Sequence, residues 1–213
     1  MSDEKHDAAP SLADEQRRLT QRRILEGART VIAKEGFDAT VEEIAEAAGV
    51  SPRTVFRQFL TRDKLLEAAI VDMYETLSAP IEGPDPAVDL DGWLLAFLRA
   101  AHVRNREILG NAFWELHWPK KNSPEVVENV RGLRQRYRKI WMDWLAAEAW
   151  KAAGGTGERP ELLVRAFSFY TSGFTTRSLD VDCGFDADAS ATFCARMLKF
   201  LIVDLVAQEA APA

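Results

Sequence analysis

Two helix-start signals lie close together near the N-terminus, and the short connection between them restricts the fold of this chain more than any other feature. Thr40 and Glu43 have the spacing of a capping box, in which the side chain of each residue satisfies the backbone amide of the other. Ser51 before Pro52 is a second start signal, because proline lacks the amide hydrogen that the first helical position leaves unused. Only residues 49–51 separate the two predicted helices, so we expect them to cross steeply as a helix-turn-helix.

A further helix is predicted in front of this pair. Over residues 17–34 the apolar residues recur on one face, from Ile24 to Ile32, and Gly36 follows as a stop signal. We therefore place a three-helix helix-turn-helix domain at residues 17–64. The preceding residues 1–16 are polar and charged, and we expect them to form a disordered tail.

Apolar residues recur at helical spacing through the rest of the chain, and no stretch alternates apolar with polar residues as a half-buried strand would. Clusters of Gly and Pro at residues 81–86 and 154–160 separate the long helical stretches. The predicted fold is all-α: an N-terminal three-helix helix-turn-helix domain followed by a larger helical bundle at residues 65–213. The last two helices are expected at residues 160–179 and 187–208.

Charge is distributed unevenly along the chain. The net charge is −6, which by itself disfavours nucleic acid as a partner. Residues 17–64, however, hold ten Lys or Arg against seven Asp or Glu. The predicted helix-turn-helix domain is therefore locally basic within an acidic protein.

Several classes of protein are excluded by the sequence. No apolar stretch approaches the roughly 20 uninterrupted residues of a membrane span, and the N-terminus is polar where a secretory signal would be apolar. We therefore expect a cytoplasmic protein with no membrane partner. Cys183 and Cys194 fit neither a zinc site nor a redox pair, and we expect them to be free thiols. The sequence motifs of nucleotide-binding enzymes, hydrolases and metalloproteases do not occur, so we expect no enzyme activity, no cofactor and no metal.

The second helix of a helix-turn-helix lies in the major groove of DNA with its first residues at the base edges. Arginine and threonine there can bond guanine or phosphate, and Phe56 can meet a thymine methyl group. The amino end of the preceding helix, at Thr40, has backbone amides that suit a phosphate oxygen. The predicted DNA-binding residues are Thr40, Ser51, Arg53, Thr54, Phe56, Arg57, Arg62 and Lys64, with Arg17, Arg18, Arg22 and Arg23 as further candidates.

These features alone leave two kinds of function open. Two tightly joined helices with a capping box also occur in helical proteins that do not bind DNA, and an exposed helix bearing arginines is commonly a solvated face. The alternative to a DNA-binding protein is an all-helical small-molecule-binding or scaffolding protein without DNA binding. The basic segment and the short turn argue against that alternative.

One continuous run of residues has a recognisable order. From Arg29 to Leu66, and most closely from Ala39 to Phe59, it resembles the N-terminal domain of the TetR family of repressors. The resemblance implies a homodimer that binds a palindromic double-stranded DNA operator, and a C-terminal bundle that binds a small-molecule effector and so changes the separation of the two DNA-binding heads. The chain departs from the family at Phe56, Gln58 and Arg62, where Tyr, His and Lys are usual.

The predicted C-terminal bundle is rich in aromatic residues at helical spacing. Tyr137, Trp141 and Trp144 share one helical face, and so do Phe167 and Tyr170. Such stripes are more often plain core, but large rings with a few polar groups also line small-molecule sites. We predict a pocket for an apolar or aromatic effector. Basic side chains near the pocket would also accept an anionic effector. Candidate polar groups are His102, His117, Arg104 and Arg106, and the predicted pocket residues are Trp93, Phe97, Phe113, Trp114, His117, Trp118, Tyr137, Trp141, Phe167 and Tyr170.

The last two predicted helices are apolar on more than one face. A helix of this kind needs two partners, and pairing with symmetry mates in a four-helix interface would supply the second. Burial within a monomer is the alternative. The predicted dimer-interface residues are Leu162, Phe169, Phe193, Met197, Leu201 and Leu205.

Overall fold

The computed structural model describes residues 11–77, 80–109 and 124–210. Every regular element in these ranges is helical, so the all-α prediction is confirmed. A 3-10 turn (Gly36–Asp38) follows the first helix, and a π-helical turn (Asn105–Leu109) follows the fifth. The helices are α1 (Leu12–Glu35), α2 (Val41–Ala48), α3 (Pro52–Phe59), α4 (Arg62–Leu77), α5 (Leu90–Arg104), α6 (Pro124–Ala152), α7 (Glu161–Tyr170), α8 (Gly173–Val181) and α9 (Ala187–Ala210). None of the helices in these ranges is long and apolar enough to cross a membrane.

Helix α1 begins earlier than the sequence predicts. The expected disordered tail covers residues 1–16, but α1 starts at Leu12. Its cap is Ser11, whose hydroxyl accepts a hydrogen bond from the Asp14 amide at 3.2 Å and donates to the Asp14 carboxylate at 2.8 Å. The Asp14 charge also lies in the first turn, where the helix dipole favours an anion. The prediction of a disordered tail is therefore wrong for residues 12–16, which belong to α1. Residues 1–10 lie outside the described residues.

Helices α1 to α4 share one hydrophobic core. Ile24 of α1 and Ile44 of α2 are fully buried in it, as are Leu65 and Leu66 of α4. The core continues along α4 to Tyr74. The boundary predicted after residue 64 therefore falls inside the core of the N-terminal unit, because α4 supplies the apolar face that α1 and α2 need to cover their own.

Helices α5, α6, α7 and α9 surround a second hydrophobic core. Leu98, Leu145, Phe167 and Leu198, one from each helix, are fully buried in it. Because each helix contributes at least one side chain without exposed surface, the four helices form a bundle with a continuous apolar interior.

The sequence predicts a single helix over residues 160–179, but the chain breaks there into α7 and α8. The Thr171 hydroxyl donates to the Phe167 carbonyl oxygen at 2.7 Å, at the end of α7. The Ser172 hydroxyl then caps α8 by accepting from the Thr175 amide at 3.1 Å. Hydroxyl groups that compete for backbone hydrogen bonds thus interrupt an apolar pattern that is otherwise helical throughout.

A buried polar cluster joins α5 to α8. His102 has no exposed surface, and its Nδ1 lies 2.8 Å from the Thr176 hydroxyl. The Asn105 side-chain amide donates to the same hydroxyl at 3.0 Å. Burial, together with the positive charge of Arg106, lowers the pKa of His102 to about 4. The imidazole is therefore neutral at pH 7.

The neutral imidazole predicts a loss of stability on acidification. His102 titrates near 6.5 in the unfolded chain and near 4 in the folded one, so between these values the unfolded state binds the extra proton. We expect the free energy of unfolding to fall by about 2 kcal/mol between pH 7 and pH 5 from this group. Urea unfolding across that range should show a flatter pH dependence for His102→Gln than for the wild type. The same slope in both proteins would contradict a buried neutral His102.

Helices α1 and α2 approach each other closely at Gly27. A Cβ atom there would lie 2.9 Å from the Ala48 amide nitrogen and 3.1 Å from the Ile44 carbonyl oxygen. Both are backbone atoms, which cannot rotate away as a side chain can. The close approach therefore fixes α2, and α3 after it, against α1.

Replacing Gly27 with Ala should destabilise the protein even though alanine is the better helix former. Helix propensity favours alanine by about 1 kcal/mol, whereas crowding against a packed neighbour costs about 1–3 kcal/mol. Gly132→Ala in α6 is the matched control, because among the described residues its Cβ would meet only a side-chain atom of Arg136, at 3.8 Å. Thermal unfolding should give a lower Tm for Gly27→Ala and an unchanged or higher Tm for Gly132→Ala. A Tm for Gly27→Ala at or above that of the wild type would refute the close packing.

Candidate nucleic-acid interface and ligand cavity

The turn between α2 and α3 contains one left-handed residue. Gly49 ends α2 with a φ of 64°, a conformation that glycine adopts without the strain of a side chain. Ser51 caps α3 by accepting from the Thr54 amide at 3.2 Å, and the two hydroxyl oxygens lie 3.0 Å apart. Pro52 occupies the first turn of α3. The predicted helix-turn-helix and its second start signal are confirmed.

The capping box at the start of α2 forms as predicted. The Thr40 amide donates to Glu43 Oε2 at 2.8 Å, and the Glu43 amide donates to the Thr40 hydroxyl at 3.2 Å. The hydrogen bonds from the Thr40 amide and hydroxyl lower the pKa of the Glu43 carboxyl. The Thr40 and Glu43 amides are thus both occupied within the capping box. The amides of residues 41 and 42 are the ones that this helix end retains for a phosphate.

One face of α3 is exposed and carries cations. Arg53, Phe56 and Arg57 are exposed, whereas Val55 is buried and Thr54 is half-buried. Helix α3 contains no acidic residue. Within the described ranges, neither arginine forms a salt bridge. The two guanidinium groups are therefore available for a base edge or a phosphate.

Two predicted phosphate contacts at the start of α4 are already engaged. Arg62 is half-buried and its Nε donates to the Ala39 carbonyl oxygen at 3.1 Å, which ties α4 to the residue before the capping box. Lys64 Nζ lies 2.8 Å from Glu67 Oε2. Hydrogen bonds from Lys64 and Asn129 lower the pKa of Glu67. Arg62 thus ties α4 to the residue before the capping box, and the Lys64 ammonium group is paired with the Glu67 carboxylate.

Helix α1 supplies another cation beside the turn. A Cβ atom built on Gly49 would lie 3.1 Å from Arg23 Nη2, so this guanidinium group packs against the connection between α2 and α3. The other α1 arginines named as candidates are Arg17, Arg18 and Arg22, and all three are exposed.

A cavity of about 520 Å³ lies between α4, α5 and α6. Four predicted pocket residues line it, and they are Trp93, Phe97, Tyr137 and Trp141. Trp144 also lines it, with its ring centroid 5.7 Å from that of Trp141 and 6.5 Å from that of Trp93 in edge-to-face contacts. These edge-to-face rings form part of the cavity wall.

The other predicted pocket residues lie elsewhere. Phe167 is fully buried in the second core, and half-buried Tyr170 packs against that core rather than lining the cavity. These two side chains instead pack in the contact of α7 with α6 and α9. The predicted residues Phe113, Trp114, His117 and Trp118 lie outside the described residues.

The polar groups of the cavity also differ from those expected. His102, Arg104 and Arg106 do not line it. Arg106 donates to the Phe185 carbonyl oxygen at 3.1 Å and Arg104 to the Pro80 carbonyl oxygen at 3.2 Å, so both hold backbone segments together. The polar lining residues that the sequence did not identify are Tyr74, Asn105, Arg138 and Thr171. An arginine directly after Tyr137 in the aromatic stripe is the signal that could have identified Arg138.

The predicted dimer-interface residues fall into two groups. Leu162, Phe169 and Phe193 are exposed. The remaining three, Met197, Leu201 and Leu205, are half-buried, and the last two pack against the second core. Part of the apolar surface of α9 is thus used within the chain.

Solved structures share this fold. A transcriptional regulator from Rhodococcus sp. Rha1 matches with a TM-score of 0.64 at 20% identity, over 90% of this chain and 99% of that one. NalD, the secondary repressor of the MexAB-OprM multidrug efflux pump in Pseudomonas aeruginosa, matches with a TM-score of 0.58 at 19% identity, over 86% of this chain and 96% of its own. At such identities the likeness concerns the fold.

Sequence relatives identify the family. The model described as "Bacterial regulatory proteins, tetR family" matches residues 24–69, from the middle of α1 into α4. YvkB of Bacillus subtilis (strain 168), an uncharacterized HTH-type transcriptional regulator, is 44% identical over 146 residues, which is 68% of this chain and 75% of that protein. The HTH-type transcriptional regulator TcmR of Streptomyces glaucescens is 31% identical over 106 residues, 47% of this chain and 46% of its own. With the helix-turn-helix already in place, these relatives establish that the chain belongs to the TetR family of transcriptional regulators.

Proposed function

We propose that this chain is a ligand-responsive repressor that binds a palindromic DNA operator as a homodimer and is regulated by a small hydrophobic or aromatic effector. The observation that carries the proposal is the position of α4. Its residues Leu65 and Ile70 are buried in the core that holds α2, whereas Tyr74, further along the same helix, lines the cavity. A ligand in the cavity would therefore touch the helix on which the DNA-binding unit is built.

The exposed face of α3 supports DNA as the partner. Two α3 helices related by a twofold axis would meet successive major grooves about 34 Å apart. Arg53 and Arg57 carry charges without acidic neighbours on α3, and Arg23 adds a cation beside the turn. In such an arrangement, side chains near the start of α3 contact base edges and the surrounding cations contact phosphates.

Apolar side chains exposed on α7 and α9 support the homodimer. Leu162 and Phe169 of α7 are 55% and 60% exposed, and Phe200 of α9 is 72% exposed. Single exposed apolar residues are ordinary, but several on two helices in mutual contact mark an interaction surface. A second copy of the chain would cover them in a four-helix interface.

Contacts at the far end of α4 support coupling between the cavity and the DNA-binding unit. The Tyr74 ring stacks on that of Tyr137 in α6, with centroids 6.1 Å apart. Arg29 of α1 donates to the Thr76 hydroxyl at 2.8 Å and pairs with the Asp72 carboxylate at 3.4 Å. An effector that moves Tyr74 would shift α4, and α1 with it, and so change the separation of the two heads of a dimer.

The DNA proposal predicts a loss of specificity in Arg53→Ala. If Arg53 bonds a base edge, its removal should weaken binding to the operator by about 1–3 kcal/mol more than binding to a scrambled duplex. Fluorescence anisotropy with a promoter fragment retained by the wild type, and with its scrambled version, measures both. Arg136→Ala, which removes an exposed arginine outside the helix-turn-helix, is the control. Equal losses on both duplexes would reassign Arg53 to phosphate contact, and no loss on either would refute its role.

The effector proposal predicts that Trp141 reports on ligand binding. Aromatic compounds that enter the cavity should quench tryptophan emission, and Trp141→Ala should lower both the affinity and the quenched fraction. Trp150→Phe is the matched control, because Trp150 is buried in the second core and does not line the cavity. A response that is identical in the wild type and in Trp141→Ala would show that the compounds bind elsewhere.

A further inference from the structure

The wall of the cavity carries a positive charge without a matching negative one. Arg138 is the charged side chain among the described residues that line the cavity, and no Asp or Glu from the described ranges lines it. Most of the remaining wall is apolar, and includes Trp93, Phe97, Trp141 and Trp144. A cation in such a wall needs a partner, because the surrounding rings replace the water that would otherwise solvate it.

The guanidinium group of Arg138 is held in place on one side. Its Nη2 donates to the Ser168 carbonyl oxygen, lies 3.2 Å from the Ser168 hydroxyl and lies 3.5 Å from the Thr171 hydroxyl. These partners are neutral, so they orient the group without cancelling its charge. The structure gives no hydrogen bond from Nε or Nη1 to the described residues, and neither atom is among the buried polar atoms without a partner. Arg138, which lines the cavity, therefore keeps donors that the described residues do not satisfy.

The electrostatic surroundings of Arg138 also lack an anion. Burial lowers its pKa to about 10, and the nearby positive charge of Arg134 acts in the same direction. The ionised form of Tyr74 would act in the opposite direction and raise the pKa of Arg138. Burial, however, raises the pKa of Tyr74 itself. No carboxylate lies within salt-bridge distance of Arg138 in the described part of the chain. The protein thus positions a partly buried cation and leaves its charge uncompensated.

We propose that the effector is an apolar aromatic carboxylate whose carboxylate group pairs with Arg138 while its hydrocarbon part lies among the tryptophan rings. This proposal rests on the proposed effector site and names the chemical class that the site selects. Nε or Nη1 can donate a charge-assisted hydrogen bond to a carboxylate oxygen, and such a bond is stronger than a neutral one. A neutral ligand of the same shape would fill the apolar part but leave the charge of Arg138 unpaired, and a cation would be repelled.

Matched acids and amides test this proposal. Tryptophan quenching titrations at pH 7 with 2-naphthoate and 2-naphthamide, and with biphenyl-4-carboxylate and its amide, give an acid-to-amide affinity ratio for each shape. The wild type should bind the acid about tenfold or more tightly than the amide, the ratio expected from one charge-assisted hydrogen bond. Arg138→Met should bring the ratio close to one, and Arg138→Lys should retain part of the preference because it keeps the charge.

The control is Arg136→Met, which removes a neighbouring arginine of α6 that does not line the cavity, and it should keep the wild-type ratio. A wild-type ratio near one, or a preference for the acid that persists in Arg138→Met, would overturn the anion proposal. In that case the effector site itself stands, because both compounds still bind. Failure of every acid and every amide to quench the wild type would instead overturn the effector site and this proposal together. The wild-type ratio can overturn the proposal by itself even if Arg138→Met does not fold, and Arg138→Lys then tests whether the preference depends on this side chain.

Discussion

The packing of α4 against two different sets of neighbours is the constraint on which the rest of the molecule depends. Its first turns place Leu65 and Leu66 in the N-terminal core, and its later turns carry Tyr74 to the cavity wall. A helix resists bending because each residue is hydrogen-bonded to the next turn. A displacement at one end is therefore transmitted to the other, and the proposed effector regulation uses this connection between the cavity and the helix-turn-helix. The Arg29–Asp72 ion pair extends that route to α1.

The arginines of α3 and of the cavity lie in different surroundings. On α3, Arg53 and Arg57 are exposed, where water screens them and a DNA backbone can attract them from a distance. In the cavity, Arg138 is partly desolvated, so its charge acts over a short range and strongly. Arg62 differs from both, because its Nε is already bound to the Ala39 carbonyl oxygen. Residue type alone therefore does not tell a binding cation from a structural one.

Local signals in the sequence predicted the parts of the fold that depend on neighbours three or four residues apart. The Thr40–Glu43 capping box and the Ser51 cap are hydrogen bonds within one turn, so their residues specify them directly. Ser11 has the same kind of cap, but the polar composition around it concealed the helix start. The break at Thr171 was hidden for the opposite reason, because apolar residues on both sides continue the helical period.

The order of the residues is enough to predict that the chain is all-helical, that two of its helices are joined by a three-residue turn, and that basic residues gather in that region. The packing of the helices shows in addition that Gly27 must be small, that Phe167 is core and Trp144 is cavity wall, and that Arg138 lines the cavity. These two kinds of feature differ in the distance along the chain between the residues that form them. A cap or a turn is settled by residues within reach of one another locally, whereas a cavity exists only where helices far apart in sequence fail to fill the space between them.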